Sequence, residues 1–273
     1  MIATASVDTN GLETRTQHFY RRAIRILKDA DVPFLTGGAY AMAHYTRIIR
    51  HTKDLDIFLC PGDAPHALQA FADAGFRTEM TYSHWLGKAF HGTDFIDVIF
   101  SSGNGIAKVD DLWFAHAQPA RFLGEDVLIC PVEEMIWSKA FVMERERYDG
   151  SDIAHLLRAA ARDLDWPRLL HRFGPHGRVL LSHLVLFGFI YPSERDAVPA
   201  EVMQELLGRL EIESESPPPR RRVCRGTLLS RLNYVTDVDD EDFEDGRLDP
   251  EAGMTPEQVH VWTQAGLREL ADR

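Results

Sequence analysis

The stretch that decides the fold is Phe34-Leu35-Thr36-Gly37-Gly38-Ala39-Tyr40-Ala41-Met42-Ala43-His44, continued after a basic loop by Lys53-Asp54-Leu55-Asp56-Ile57-Phe58-Leu59. It reads as a short strand over 34–36, a glycine turn, a short helix over 39–45, a loop over 46–53 and a second strand over 54–60. Paired glycines permit a backbone turn that side chains obstruct. Asp54 and Asp56 stand two apart on a strand, so their carboxylates leave on the same face. A third acid, Asp97, sits inside the apolar run Phe95-Ile96-Asp97-Val98-Ile99-Phe100. A carboxylate there is costly unless it is paired or holds a metal.

Outward from this stretch, the apolar residues Phe19, Ala23, Ile24, Ile26 and Leu27 recur at helical spacing and predict a helix over 14–30. Asp63 is a plausible cap for a helix running to Ala74, and Gly75 is its stop. Strands are expected over 76–82, 84–90 and 94–100, a short helix over 110–117 and a hairpin-like pair over 120–130. The fold class is α/β (α+β): a mixed sheet of five or so strands with flanking helices, followed by an α-helical domain. The character changes at Pro131, where Pro131-Val132-Glu133-Glu134 opens a helix expected to reach about 148. Further helices are expected over 151–162, 166–173, 179–190 and 255–271. The expected organisation is a catalytic domain over 1–130, a helical domain over 131–210, and a partly irregular acidic segment with a closing helix over 211–273.

Hydrophobic residues make up 45% and charged residues 26% of the 273, which suits a globular protein with a sizeable core. A net charge of −12 argues against a chain built to coat nucleic acid. Cys60, Cys130 and Cys224 are too few and too scattered for a zinc site or a disulfide framework. No apolar run reaches the roughly 18 residues of a membrane span, the longest, Val179 to Tyr191, being interrupted by Ser182 and His183, and the N-terminus lacks the pattern of a secretory signal. The expectation is therefore a cytoplasmic protein with no membrane partner.

Hard cations such as Mg²⁺ take carboxylate oxygens and leave room for substrate phosphate. Three acids on adjacent strands could seat two such ions, one to activate an attacking hydroxyl and one to stabilise the leaving group. The glycine turn offers backbone N–H groups at a helix start, which favour an anion. Thr36 or Tyr40 could add hydroxyl donors.

Thr36-Gly37-Gly38, a helix, Thr52-Lys53-Asp54-Leu55-Asp56-Ile57 and the distant Ile96-Asp97-Val98 together resemble the polymerase-β-type nucleotidyltransferase superfamily. The resemblance is strongest over about 30–100. It implies transfer of a nucleoside monophosphate from a nucleoside triphosphate, ATP among them, with two Mg²⁺. By position it implies that Asp54 and Asp56 bind both metals, and that Asp97 binds the catalytic metal and helps activate the acceptor. Gly37 and Gly38 would hold the triphosphate, with Thr36, Arg50, Lys53 and Lys139 assigned to the nucleotide as well. Within the superfamily the pattern is similar to two groups. One is the abortive-infection and toxin–antitoxin type, whose helix Lys, then Arg, then Asp is matched in order by Lys139, Arg145 or Arg147, and Asp149 or Asp152. The other is the group that adenylylates lincosamide or aminoglycoside antibiotics.

Other readings stand beside these. Asp97 could be a buried partner of Arg47 or Arg50. Lys139 could be a solvated helix lysine. Asp149 and Asp152 fit a helix cap and a first-turn acid. Arg158, Arg162, Arg168, Arg172 and Arg178 fit a solvated face that could meet RNA, and Arg220 to Arg222 fit partners of the nearby acidic run. His44 and His51 fit ordinary polar roles. The acceptor is left open among RNA, a protein and a small molecule, held in a cleft between the domains. A nucleotidyltransferase fold that binds nucleotide or a partner without turnover is the alternative.

Overall fold

The structure is a computed structural model that describes residues 5–6, 12–50, 52 and 54–271. It divides into two compact units, Met1–Pro131 and Val132–Arg273.

The first unit runs β1 (Ala5–Ser6), α1 (Thr14–Asp29), β2 (Leu35–Thr36), α2 (Gly38–Thr46), β3 (Asp54–Phe58), α3 (Ala64–Asp73), β4 (Arg77–Tyr82), β5 (Leu86–His91), β6 (Asp94–Ile99), α4 (Asp111–Ala115), β7 (Gln118–Phe122) and β8 (Glu125–Ile129). Its strands form one mixed sheet in the order β1-β7-β8-β2-β3-β6-β5-β4. The sheet is therefore eight-stranded among the described residues rather than five-stranded. The extra width comes from the β7–β8 hairpin, which lies parallel beside β2 through Thr36 and Ile129, and from β1 on its outer edge. The hairpin turns one residue earlier than its Gly-Glu-Asp sequence suggests, at Leu123 and Gly124. Both have positive φ, the geometry that suits a two-residue connection.

Alternation along the strands separates two faces. Leu55 and Ile57 of β3 and Ile96 and Val98 of β6 are fully buried. On this apolar side α3 supplies Leu68, which lies against Gly87 of β5, and α1 buries Phe19, Tyr20, Ala23, Ile24 and Leu27. The opposite residues, Asp54, Asp56 and Phe58, are only half-buried. Burying the first set drives the folding of the sheet. The acids are thereby left together on the other face.

The second unit holds α5 (Val132–Ala140), α6 (Gly150–Ala160), α7 (Trp166–Phe173), α8 (Gly177–Ile190), α9 (Ala200–Glu215), β9 (Val223–Cys224), α10 (Val235–Asp240), β10 (Glu244–Asp245) and α11 (Pro256–Ala271). α5 stops at Ala140, well short of 148. The chain folds back so that the Asp149 N–H donates to the Val142 carbonyl at 3.1 Å, and the Met143 N–H donates to that of Leu229 at 3.0 Å. Glu144 accepts from the Ser230 hydroxyl at 2.6 Å and from the Arg231 N–H at 3.1 Å. The segment beyond 211 is thus anchored within this unit, with Leu228 and Arg247 buried.

The arginines of α7 correct the expectation of a solvated face. Arg168 bonds Glu133 at 2.6 Å and Glu134 at 2.5 Å, and Arg172 bonds Glu134 at 3.0 Å. The Glu134 side chain is wholly buried. Arg221 does pair with the acidic run, through Glu244 and Asp249. The helical stretch Trp166–Ile190 is long and apolar enough to cross a membrane by length and composition, contrary to expectation. A 3₁₀ turn at Gly174–His176 separates its two helices, and Arg168 and Arg172 lie on the first of them.

Candidate active site

The site is built by strand register. β3 and β6 pair in parallel with Asp54 beside Phe95 and Asp56 beside Asp97. The i, i+2 pair on β3 and the single acid on β6 therefore share one face. Ligand oxygens of Asp54, Asp56 and Asp97 all lie within 4.8 Å of one another. Three oxygen donors that close suit a hard divalent cation, and like charges so near favour one. The residues present fit the metal that the sequence pattern implies.

The paired glycines have separate reasons to be glycine. A Cβ on Gly38 would fall 1.7 Å from Asp56 Oδ2, and φ there is +54°. Any side chain at 38 would displace the carboxylate. A Cβ on Gly37 would strike the Phe58 ring at 2.2 Å. The Gly37 N–H donates to the Asp56 carbonyl at 3.0 Å, so it ties the turn to β3 rather than facing a phosphate. The remaining first-turn N–H groups of the nine-residue α2 have no acceptor within the helix.

Asp97 is not paired with Arg47 or Arg50. Its Oδ1 lies 2.7 Å from the Lys88 ammonium on β5, which also sits 4.6 Å above the Phe95 ring. Burial pushes the Asp97 carboxyl above its ordinary value, Lys88 pulls it down, and Asp54 adds to the rise. Asp54 accepts a hydrogen bond from the Thr52 hydroxyl. Neither Lys88 nor Thr52 was among the expected site residues. Lys88 had a signal: a hairpin turning at Gly92-Thr93 sets 91 against 94, and so 88 against 97.

The other expected residues fall as follows. Thr36 pairs with Ile57 on the apolar face, and its hydroxyl is fully buried with no hydrogen-bond partner. Tyr40 is buried against Tyr20 and Phe122, and burial, with the charges of Asp54 and Asp56, pushes its hydroxyl up to about 12. Neither hydroxyl is presented on the exposed acid face. Arg50 is exposed in the loop after α2, while Lys53 and His51 lie outside the described residues. Lys139 is no solvated lysine: in the second unit it bonds Asp149 at 2.8 Å and Asp152 at 2.9 Å. Of the two candidate arginines it is Arg147 that joins them, at 3.0 Å from Asp149, while Arg145 lies beside Glu146. Asp149 stands at the cap position of α6 without a capping bond from its side chain.

A family model described as an uncharacterised nucleotidyltransferase matches residues 8–187, more than half of the chain. No match is found among curated proteins. Among solved structures, the antibiotic-resistance factor ANT(2'')-Ia in solution is 14% identical, with 74% of this chain and 95% of that chain covered and a TM-score of 0.39. The lincosamide antibiotic adenylyltransferase LnuA, lincomycin-bound, is 14% identical over 54% of this chain and 98% of its own, with a TM-score of 0.38. ANT(2'')-Ia in complex with an adenylyl-tobramycin gives 14%, 65%, 99% and 0.38 in the same terms.

Proposed function

The chain belongs to the uncharacterised nucleotidyltransferase family matched over 8–187 and is a nucleotidyltransferase, and from that premise we propose that it transfers a nucleoside monophosphate from a nucleoside triphosphate to an acceptor hydroxyl, with divalent-metal dependence. The observation that carries this reading is the meeting of the half-buried Asp54, Asp56 and Asp97 at one point on one face of the sheet. In the reaction the acceptor hydroxyl releases its proton to solvent, its oxygen bonds to the α-phosphorus, the bond from that phosphorus to the bridging oxygen breaks, and pyrophosphate leaves. Asp54, Asp56 and Asp97 would hold the metal, two Mg²⁺ in our reading, which would lower the pKa of the attacking hydroxyl and neutralise charge on the leaving group. Asp97 would bind the catalytic metal and help activate the acceptor hydroxyl. The start of α2 faces the phosphates with its unused N–H groups, and Arg50 and Lys53 are assigned to the same phosphates. We place the enzyme in the cytoplasm, where nucleoside triphosphates are supplied.

The test is a transfer assay with four α-labelled nucleoside triphosphates, Mg²⁺, total RNA, a cell lysate and a panel of lincosamide and aminoglycoside antibiotics. Label entering RNA, protein or antibiotic names the acceptor class, and a toxin role follows only from the first two. Label transferred equally well by Asp56→Asn would sink the metal reading. Lys139 is tested apart: a folded Lys139→Met variant with the wild-type KM for nucleotide removes it from the site.

A further inference from the structure

Lys88 is the feature of the acid face that the transfer reading does not use. Cross-strand register sets Glu79, Lys88, Asp97 and Asp56 in one row across β4, β5, β6 and β3. Lys88 therefore has a carboxylate on either side. Glu79 is already engaged, by Arg77 at 3.1 Å and by the Thr81 hydroxyl at 3.1 Å. The ammonium instead reaches Asp97 at 2.7 Å and lies 4.6 Å from the centre of the Phe95 ring. With its side chain 22% exposed, it stands at the edge of the acid cluster, open to solvent on one side.

We propose that Lys88 is a resident counter-cation of the carboxylate trio, which orients Asp97 and competes with divalent metal for it, so that metal binds well only when the nucleotide's phosphates arrive with it. This rests on the reading that the trio holds metal. The physics is charge competition. An ammonium on Asp97 Oδ1 lowers the field that three carboxylates offer a second cation. A triphosphate is the anion that can draw the ammonium away, because it offers more negative charge than one carboxylate. Lys88 is thus a positioning residue that couples metal occupancy to nucleotide occupancy.

The experiment measures Mn²⁺ binding to the full chain by the loss of the free-ion electron paramagnetic resonance signal, without and with a non-hydrolysable nucleoside triphosphate. Wild type, Lys88→Met, Lys88→Gln, Lys88→Arg and Asp97→Asn are compared, each with its fold checked by circular dichroism. We expect Lys88→Met and Lys88→Gln to bind Mn²⁺ about tenfold more tightly than wild type without nucleotide, the size of effect one neighbouring charge has on an ionisation. Lys88→Arg should stay near wild type. The nucleotide should tighten Mn²⁺ binding in wild type and do so less in Lys88→Met. Unchanged or weakened binding in both neutral variants, with Asp97→Asn still losing Mn²⁺, overturns the proposal and leaves the metal reading intact. Mn²⁺ binding by no variant, or binding that Asp97→Asn does not alter, overturns the metal reading and this proposal with it.

Discussion

Two clusters of acids in this molecule differ in how they are answered. In the second unit Glu133 and Glu134 meet Arg168 and Arg172, two charges against two, with every side chain at most 11% exposed. In the first unit Asp54, Asp56 and Asp97, all half-buried, meet at one point on the sheet face opposite the apolar core, and Lys88 answers Asp97. A buried carboxylate matched by an arginine fork is complete within the chain. Acids whose oxygens converge on one point suit a cation brought from outside. The contrast teaches that buried acids are no functional signal by themselves; whether their oxygens converge on one point or are each met by an arginine separates a site from a structural network.

The comparison breaks most sharply in activity. Asp56→Asn should lower nucleotidyl transfer on the order of a thousandfold, because metal stabilisation of a transition state amounts to several kcal/mol. Its melting temperature should change little. Turnover and thermal unfolding on the same preparation check both halves.

Glu134→Ala should do the reverse. It removes the carboxylate that Arg168 and Arg172 share in a buried site and should cost about 3–5 kcal/mol of stability. Denaturant unfolding reads this directly. A cost similar to that of Asp56→Asn would erase the distinction between the clusters.

Gly38→Ala lies between the two. Its new methyl would occupy the place of the Asp56 carboxylate, at a backbone angle that disfavours side chains. A loss of about 1–3 kcal/mol is expected from the strain, together with reduced transfer as Asp56 is displaced. Gly75→Ala is the control for positive φ alone: φ there is +85° and nothing stands within 4 Å of its Cβ. It should leave transfer unchanged.

The smallest effect is in pH. Asp97 titrates above its ordinary 3.8, chiefly through burial, so the folded state holds its proton more tightly than the unfolded chain. Its contribution to stability is present below 3.8 and is lost as pH rises through the folded value. Asp149 moves the other way. Burial raises it, but Arg147 and Lys139 outweigh burial and hold it below 3.8. Its contribution is present above 3.8 and is lost as pH falls through the folded value. Thermal unfolding from pH 3 to pH 7 should therefore show Asp97→Asn gaining on wild type as pH rises. Asp149→Asn should lose ground over the same range.

Much of the site is legible without coordinates. Gly37-Gly38, Asp54-Leu55-Asp56 and Asp97 announce themselves by local rules: glycine at a tight turn, period-two alternation and a charge in an apolar strand. Their convergence follows once β3 and β6 are neighbours. Lys88 is legible only after the hairpin register is fixed. The partnership of Glu134 with Arg168 and Arg172 spans 34 and 38 residues, and nothing local in Glu133-Glu134 or in the α7 arginines indicates it. The early end of α5 is hidden for the same reason. Met143 through Arg147 carry no helix breaker, and the turn is decided by Leu229, Ser230 and Arg231 on a distant segment.

The sequence by itself determined the strand, turn, helix and strand that make the site, because those rest on dihedral preferences and on alternation within a few residues. Tertiary structure alone decided which acids would be neutralised. That choice depends on which cations the chain brings within about 3 Å of each carboxylate, a distance set by packing of remote segments and not by any neighbour in sequence.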